Sequence, residues 1–219
     1  MLRELKKVKP HFVFLQETHF KTDRIPKWHV REFPSMFHAT NSLAKTKGAS
    51  ILIAKHISLE ITDTLIDKDG RYVFVKGSLW NTPLTLANIY APNTAQVSFF
   101  REMSTILTSF QEGCLLLGGD FNLAINPIVD TSTGASSMPY KALKQVKKQL
   151  QDLSLHDTWR LLNPSGRDYS FFSTPHNRYS RLDYLFITQK DIHLLKSDYR
   201  TDVYLRSLCY LCHTCDPSN

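Results

Sequence analysis

Short runs of β-branched, aromatic and other apolar residues recur along this 219-residue chain, and each is closed by turn residues or by an acid. His11 to Gln16 leads into Glu17, and Ala49 to Ala54 follows Lys47-Gly48. Tyr72 to Val75 precedes a Lys76-Gly77 break, and Leu84 to Tyr90 ends at Ala91-Pro92-Asn93. Cys114 to Leu117 ends at Gly118-Gly119-Asp120-Phe121-Asn122, where two glycines are expected to let the backbone turn tightly. Arg181 to Thr188 carries Asp183 near its start. Runs this short and this rich in strand formers read as strands. Two other segments have helical spacing. From Ser98, the residues Phe99, Phe100, Met103, Ile106, Leu107 and Phe110 recur every three or four positions; from Tyr140, Leu143, Val146, Leu150 and Leu153 do the same with lysines between them. Strands lie close together without a regular strand–helix alternation, which points to an α+β or α/β sandwich of two sheets flanked by helices.

Composition supports one sizeable core. Hydrophobic residues make up 42% and aromatics 11%, too apolar a mixture for a disordered chain. The longest apolar runs, Ile51 to Ala54 and Cys114 to Leu117, are far too short to span a bilayer. The start, Leu2-Arg3-Glu4-Leu5-Lys6-Lys7, lacks the apolar stretch of a secretory signal, so a nuclear or cytoplasmic protein with no membrane association is expected. Net charge is +7 and the sequence pI is near 9.2, which favours a polyanionic partner such as nucleic acid. The lysines form scattered groups (Lys6-Lys7, Lys45/Lys47, Lys141/Lys144/Lys147/Lys148), which a solvated basic surface explains equally well. Of four cysteines, Cys209, Cys212 and Cys215 crowd the end of the chain, and Cys114 sits in an apolar run as a small buried hydrophobe. That is no disulfide framework.

Candidate chemistry gathers at strand ends. Asp120 and Asn122 lie two apart, so extended geometry would point both to one side. A carboxylate beside a carboxamide suits phosphate-ester hydrolysis: one orients or deprotonates water, the other donates to a phosphoryl oxygen. The same pair also fits a polar turn that merely satisfies its own backbone. Glu17 is a hard oxygen donor at another strand end, of the kind Mg²⁺ takes along with substrate phosphates, though a strand-end acid is ordinary in itself. Asp183 and Tyr90 are unremarkable singly; polar ends on several strands together are what an active site requires.

Five motifs in order carry a resemblance: Leu15-Gln16-Glu17-Thr18, Asn88-Ile89-Tyr90-Ala91-Pro92-Asn93, Gly118-Gly119-Asp120-Phe121-Asn122, Tyr169-Ser170-Phe171-Phe172-Ser173 and Ser180-Arg181-Leu182-Asp183-Tyr184. Lesser signatures agree, namely Lys47-Gly48-Ala49-Ser50-Ile51-Leu52, Asp69-Gly70-Arg71-Tyr72 and Leu155-His156-Asp157-Thr158-Trp159-Arg160. From residue 1 to about 206 the chain resembles the endonuclease domain of non-LTR (long interspersed) retrotransposons, within the endonuclease/exonuclease/phosphatase superfamily of apurinic endonucleases, exonuclease III and DNase I. The resemblance implies a DNase I-like sandwich and a metal-dependent DNA endonuclease. Glu17 would hold Mg²⁺ (or Mn²⁺) and Tyr90 would contact the scissile phosphate. Asp120 would orient or activate water, Asn122 would bind a phosphoryl oxygen, and Asp183 would be a catalytic-site aspartate. Ser170 and Asn93 would face DNA. The product would carry a 3′-hydroxyl that a reverse transcriptase, supplied by a parent element, could extend; no obligate protein partner is implied.

Two departures accompany the likeness. Relatives begin with a strand ending in a metal-site Asn and open their last strand with Ser-Asp-His, so this chain is expected to lack the first and last strands and to have impaired activity. A catalytically inactive remnant or weak nucleic-acid binder is the alternative, and a phosphatase of the same superfamily a third. From about residue 207 a divergent tail is expected. There Cys209-Tyr210-Leu211-Cys212-His213 has the spacing of haem attachment and Cys215 extends it toward a zinc-like cluster, an accidental tail being the plainer reading; His213 with Asp216 has the wrong spacing to replace Asp-His.

Overall fold

The computed structural model describes residues 9–21, 31–41 and 46–194, together with Leu5 and the backbone of Leu208–Cys209. Lys6-Lys7, Lys45 and the cluster from Cys212 to Asp216 lie outside the described residues.

Two sheets stack face to face. The larger has six strands in the order β4-β5-β6-β7-β11-β8: β4 (Leu59–Ile66), β5 (Tyr72–Leu79), β6 (Thr82–Tyr90), β7 (Cys114–Asp120), β11 (Asp183–Thr188) and β8 (Leu155–Asp157). The smaller has the order β12-β1-β3-β2, with β1 (Phe12–Gln16), β2 (Ser35–Ala39), β3 (Ala49–Ile53) and β12 (Leu208–Cys209). A separate hairpin pairs β9 (Phe171–Ser173) with β10 (Arg178–Ser180). The mixed character resides in the six-stranded sheet. There β6 and β7 run parallel, joined by helix α1 (Gln96–Phe110), whereas the described pairs of the smaller sheet are antiparallel. Leu208–Cys209 fall in the segment expected to be a divergent tail, yet they pair with Val13 and Phe12 as a two-residue edge strand.

Apolar patterning explains the layers. Every residue of β1 and of β3 is buried, because one side faces the larger sheet and the other is covered as well. Phe12, Phe14, Ile51, Val73, Val75, Leu86 and Leu116 belong to one core. A second core fills the other face of the six-stranded sheet. Phe100, Met103, Leu107 and Phe110 of α1 and Leu143, Val146 and Leu150 of α3 (Tyr140–Asp152) meet Ile89, Leu115, Leu117 and Phe121 there. The helical spacings read from the sequence are thus the buried stripes of these two helices. Two shorter α-helices among the described residues are α2 (Pro127–Asp130) and α4 (Thr158–Leu162). Fully buried side chains such as Phe12, Phe14, Phe74, Phe100 and Phe121 contribute about 1.5–3 kcal/mol each by leaving water.

Two expected breaks are absent. β5 runs straight through Lys76-Gly77, and Gly77 serves close approach: a Cβ there would lie 2.3 Å from the Glu60 carbonyl oxygen of β4. Likewise β7 continues through Gly118 and Gly119 to Asp120, so the glycines do not turn the chain. A Cβ on Gly118 would come within 2.5 Å of the Phe14 ring on the opposite sheet, and one on Gly119 (φ +132°) within 1.9 Å of the Ile89 carbonyl oxygen on β6. These two positions are bare so that both neighbours can close on β7 just below its acidic end.

Candidate active site

Register brings the predicted residues together. Tyr90, the last residue of β6, stands beside Asp120, the last of β7, in the parallel ladder. Asp183, the first residue of β11, stands beside Asp120 from the other side in the antiparallel ladder. Glu17 follows β1 on the facing sheet, and the Tyr90 hydroxyl donates to its Oε1 at 3.1 Å. One phenol and three carboxylates from four strands therefore share one end of the sandwich. Convergent strand ends are where α/β folds place their ligands.

Glu17 adopts a left-handed backbone conformation (φ 53°) at the exit of its strand. The loops carrying Lys47-Gly48 and Asp69-Gly70 hold it there: Thr18 N–H donates to the Gly48 carbonyl, His19 N–H to that of Lys47, and Gly48 N–H to that of Gly70. A Cβ on Gly48 (φ +111°) would strike Thr18 Oγ1 at 2.2 Å. Beneath them Asn88, wholly buried on β6, spans the two sheets. Its Nδ2 donates to the carbonyls of Leu15 and Ser50, both at 2.9 Å, and its Oδ1 accepts from Gln16 Nε2 at 2.6 Å. In the sequence Asn88 and Gln16 appear within two of the five motifs, with nothing to say that they meet.

Asp120 and Asn122 are not two teeth of one extended strand. Asn122 is left-handed (φ 50°), its N–H donates to Asp120 Oδ1 at 2.8 Å, and its Nδ2 donates to the Ala91 carbonyl at 2.8 Å. The turn reading is therefore correct as local structure, and it sets the Asn122 side chain against the Ala91 carbonyl. Ser170 lies half-buried, and its Oγ accepts from the N–H groups of Leu182 (3.0 Å) and Asp183 (3.2 Å), so it steadies the strand that presents Asp183. Asn93 is exposed on the rim, lining a hollow of about 500 Å³ between the starts of α1 and α3.

Sequence reasoning missed the support behind Asp183. Asp130 is completely buried and accepts from Arg160 (2.7 Å) and Arg181 (Nη2, 2.9 Å), while Arg181 also bridges to Asp157. Burial opposes the Arg181 charge, but hydrogen bonding and charge from Asp157, then Tyr184 and Asp130, more than offset it and hold the guanidinium above its ordinary range. Asp157 also caps α4, accepting from Arg160 N–H at 3.2 Å. The Leu155–Arg160 motif had marked this place without saying what it held.

Tyr90 is protonated at any physiological pH. Burial pushes its phenol up, the charges of Glu17 and Asp120 push further, and Arg71, stacked 5.3 Å from its ring centre, pulls back; the result is about 12 against an ordinary 10.0. A raised folded-state value means that between about pH 10 and 12 the folded phenol holds a proton the unfolded one has lost. Stability from this group is thus complete below pH 10 and drains away as pH rises to 12. We expect an ultraviolet titration to contain a tyrosinate step near pH 12 that disappears in Tyr90→Phe; a Tyr90 step at pH 10 would contradict the burial and the Glu17 contact that raise it.

The two sheets thus bring an acidic, phenol-bearing set of side chains to converging strand ends. The chain belongs to the Endonuclease/Exonuclease/phosphatase family, whose model matches residues 1–202. Its fold is similar to that of the AP endonuclease LMAP from Leishmania major (TM-score 0.71, 18% identity, covering 88% of this chain and 74% of that one). The endonuclease domain of TRAS1, a telomere-specific non-LTR retrotransposon, is similar as well (TM-score 0.65, 21% identity, 94% and 85% covered). So is the 3′ phosphatase NExo from Neisseria, bound to a product DNA hairpin (TM-score 0.64, 17% identity, 89% and 83% covered). No helix among the described residues is long and apolar enough to cross a membrane.

Proposed function

We propose that this chain is a metal-dependent phosphodiesterase of the retrotransposon endonuclease type, nicking DNA by in-line hydrolysis to leave a 3′-hydroxyl. The observation that carries the reading is the row Tyr90–Asp120–Asp183 across three neighbouring strands, closed from the facing sheet by Glu17. The likeness to the TRAS1 domain over 94% of this chain and the +7 net charge point the same way.

The donor chemistry fits Mg²⁺ or Mn²⁺. A strand-end carboxylate is the hard oxygen donor that such a cation takes along with water and substrate phosphate. Glu17 would hold the ion, which when bound supplies charge to offset that building up on the phosphate. The chain's own groups do the rest. Asp120 accepts a proton from, or orients, the attacking water, with Asp183 beside it in the same wall. Asn122 Nδ2, with one proton left beside its bond to Ala91, donates to a phosphoryl oxygen, and so does the Tyr90 hydroxyl once Glu17 releases it to bind the ion; preorganised donors lower the barrier most there. Asn93 and Ser170 lie along the strand's path, Ser170 acting chiefly by fixing Asp183. A reverse transcriptase is the natural user of the 3′-hydroxyl.

A second reading, a nucleic-acid binder without turnover, is favoured by one feature: where relatives carry Ser-Asp-His, this sequence runs Leu205-Arg206-Ser207-Leu208-Cys209. Supercoiled plasmid incubated with folded protein and Mg²⁺ separates the two. We expect open circles that EDTA prevents and whose ends a DNA polymerase extends. Salt-sensitive DNA binding with no open circles would move the chain to the second reading.

A further inference from the structure

Gln96 is the first residue of α1, and its side chain turns away from the helix. It is buried, and its Nε2 donates to the Asn122 carbonyl at 2.8 Å and reaches the Phe121 carbonyl at 3.5 Å. Asn122 is held from two further directions, through its own N–H to Asp120 Oδ1 and through Nδ2 to the Ala91 carbonyl. Ala91 N–H in turn donates to the Asp120 carbonyl at 2.8 Å. The loop from Ala91 to Gln96 therefore clasps the Asp120–Asn122 turn at both ends, Ala91 on the strand side and Gln96 on the helix side.

We propose that Gln96 is a positioning residue: its amide fixes the peptide of Asn122 in the left-handed conformation and thereby sets where the Asn122 side chain points. Asn tolerates that conformation better than most residues, but nothing intrinsic selects it over the right-handed one. A donor aimed at the carbonyl does. The same residue begins α1, whose Phe100, Met103 and Leu107 are locked in the core, so the turn is referenced to a rigid helix rather than to a loop. Burial of the amide makes the bond strong, and losing it leaves the Asn122 carbonyl without its partner. Gln96 touches no reacting atom; its effect on chemistry passes through Asn122 and rests on the phosphodiesterase reading, whereas its hold on the turn does not.

Gln96→Glu separates the two. It keeps size and shape and places a negative charge at a helix N-terminus, where it is favourable, yet it turns a donor into an acceptor facing two carbonyl oxygens. In ¹⁵N-asparagine-labelled protein, with the Asn122 signals assigned by their loss in Asn122→Ala, we expect Asn122 backbone and side-chain amide peaks to move in Gln96→Glu and in Gln96→Met. Those of Asn88 and Asn163 stay in place. Unmoved Asn122 peaks in a folded variant overturn the proposal whether or not the protein cleaves DNA. In the nicking assay kcat should fall about 10- to 100-fold, as displacement of a reacting group does, with KM within about twofold. Gln96→Glu should add nothing to Asn122→Ala. A full additional loss in that double variant overturns the proposal. Absence of nicking by the unaltered protein bears on the phosphodiesterase reading alone and leaves the spectral arm to decide.

Discussion

Asp120→Asn is expected to give a folded protein whose nicking rate is about 10²–10⁴-fold lower, the usual worth of a general base. The substitution is chosen for what it keeps. An Asn at 120 still offers Oδ1 to the Asn122 N–H, so the turn that the 2.8 Å bond defines survives. The neighbours Tyr90 and Asp183 in the ladders are held by backbone pairing, which a side-chain change leaves intact. What disappears is the charge and the proton acceptor. DNA affinity should hold or rise, because a negative charge beside the phosphate is removed, and thermal midpoint should change little. The competing idea is that Asp120 only caps its own turn. That idea predicts an Asp120→Asn variant close to the unaltered rate and an Asp120→Ala variant that is both slower and less stable. Single-turnover nicking rates of the two variants, read beside their melting curves, choose between these.

Much of this site could be read along the chain because strand ends are local events. A run of apolar residues that stops at Glu17, at Tyr90 or at Asp120 announces both a strand and its terminus, and the ladders then bring those termini together. Where local pattern misled, the determinant lay on another strand. Gly118-Gly119 look like a turn until Phe14 and the Ile89 carbonyl are set against them, and Lys76-Gly77 look like a break until Glu60 is. Nothing near Ser170 in the chain announces that its hydroxyl receives the N–H groups of Leu182 and Asp183, 12 and 13 residues away. Asn88 reaches Leu15 across 73 positions, Gln96 reaches Asn122 across 26, and Arg181 reaches Asp130 across 51. No window of sequence contains both partners of such bonds. Residues that could touch substrate were therefore legible, whereas those that hold them in place became so only with the fold.

The largest stability effect should come from that hidden support. Asp130→Ala is expected to cost about 3–5 kcal/mol of unfolding free energy, measured by urea titration, because it strands two partly or wholly buried guanidinium groups. Asp130 is fully buried, and the side chains of Arg181 and Arg160 are 7% and 20% exposed, so water cannot replace the lost carboxylate. Both its oxygens are engaged, Oδ1 by the two arginines and Oδ2 by the Asn126 N–H and the Tyr184 hydroxyl. For a domain with about 5–15 kcal/mol in hand, that loss approaches the whole margin. Should the Ala variant prove insoluble, Asp130→Asn keeps one acceptor oxygen, loses the charge and sets an NH2 group against donors at the other, and should fall between it and the unaltered protein. Lys148→Ala supplies the contrast. Its pair with Asp152 is 3.0 Å long but 71% and 61% exposed, and such helix-surface pairs are worth about 0.3–0.5 kcal/mol. If Asp130→Ala unfolds within about 1 kcal/mol of the unaltered protein, the network is not what anchors the start of β11. If the expected loss appears, the carboxylate at position 183 depends on an ion cluster buried behind it. Slower nicking by Asp130→Asn under conditions where it is fully folded would then reveal how tightly Asp183 must be held beside Asp120.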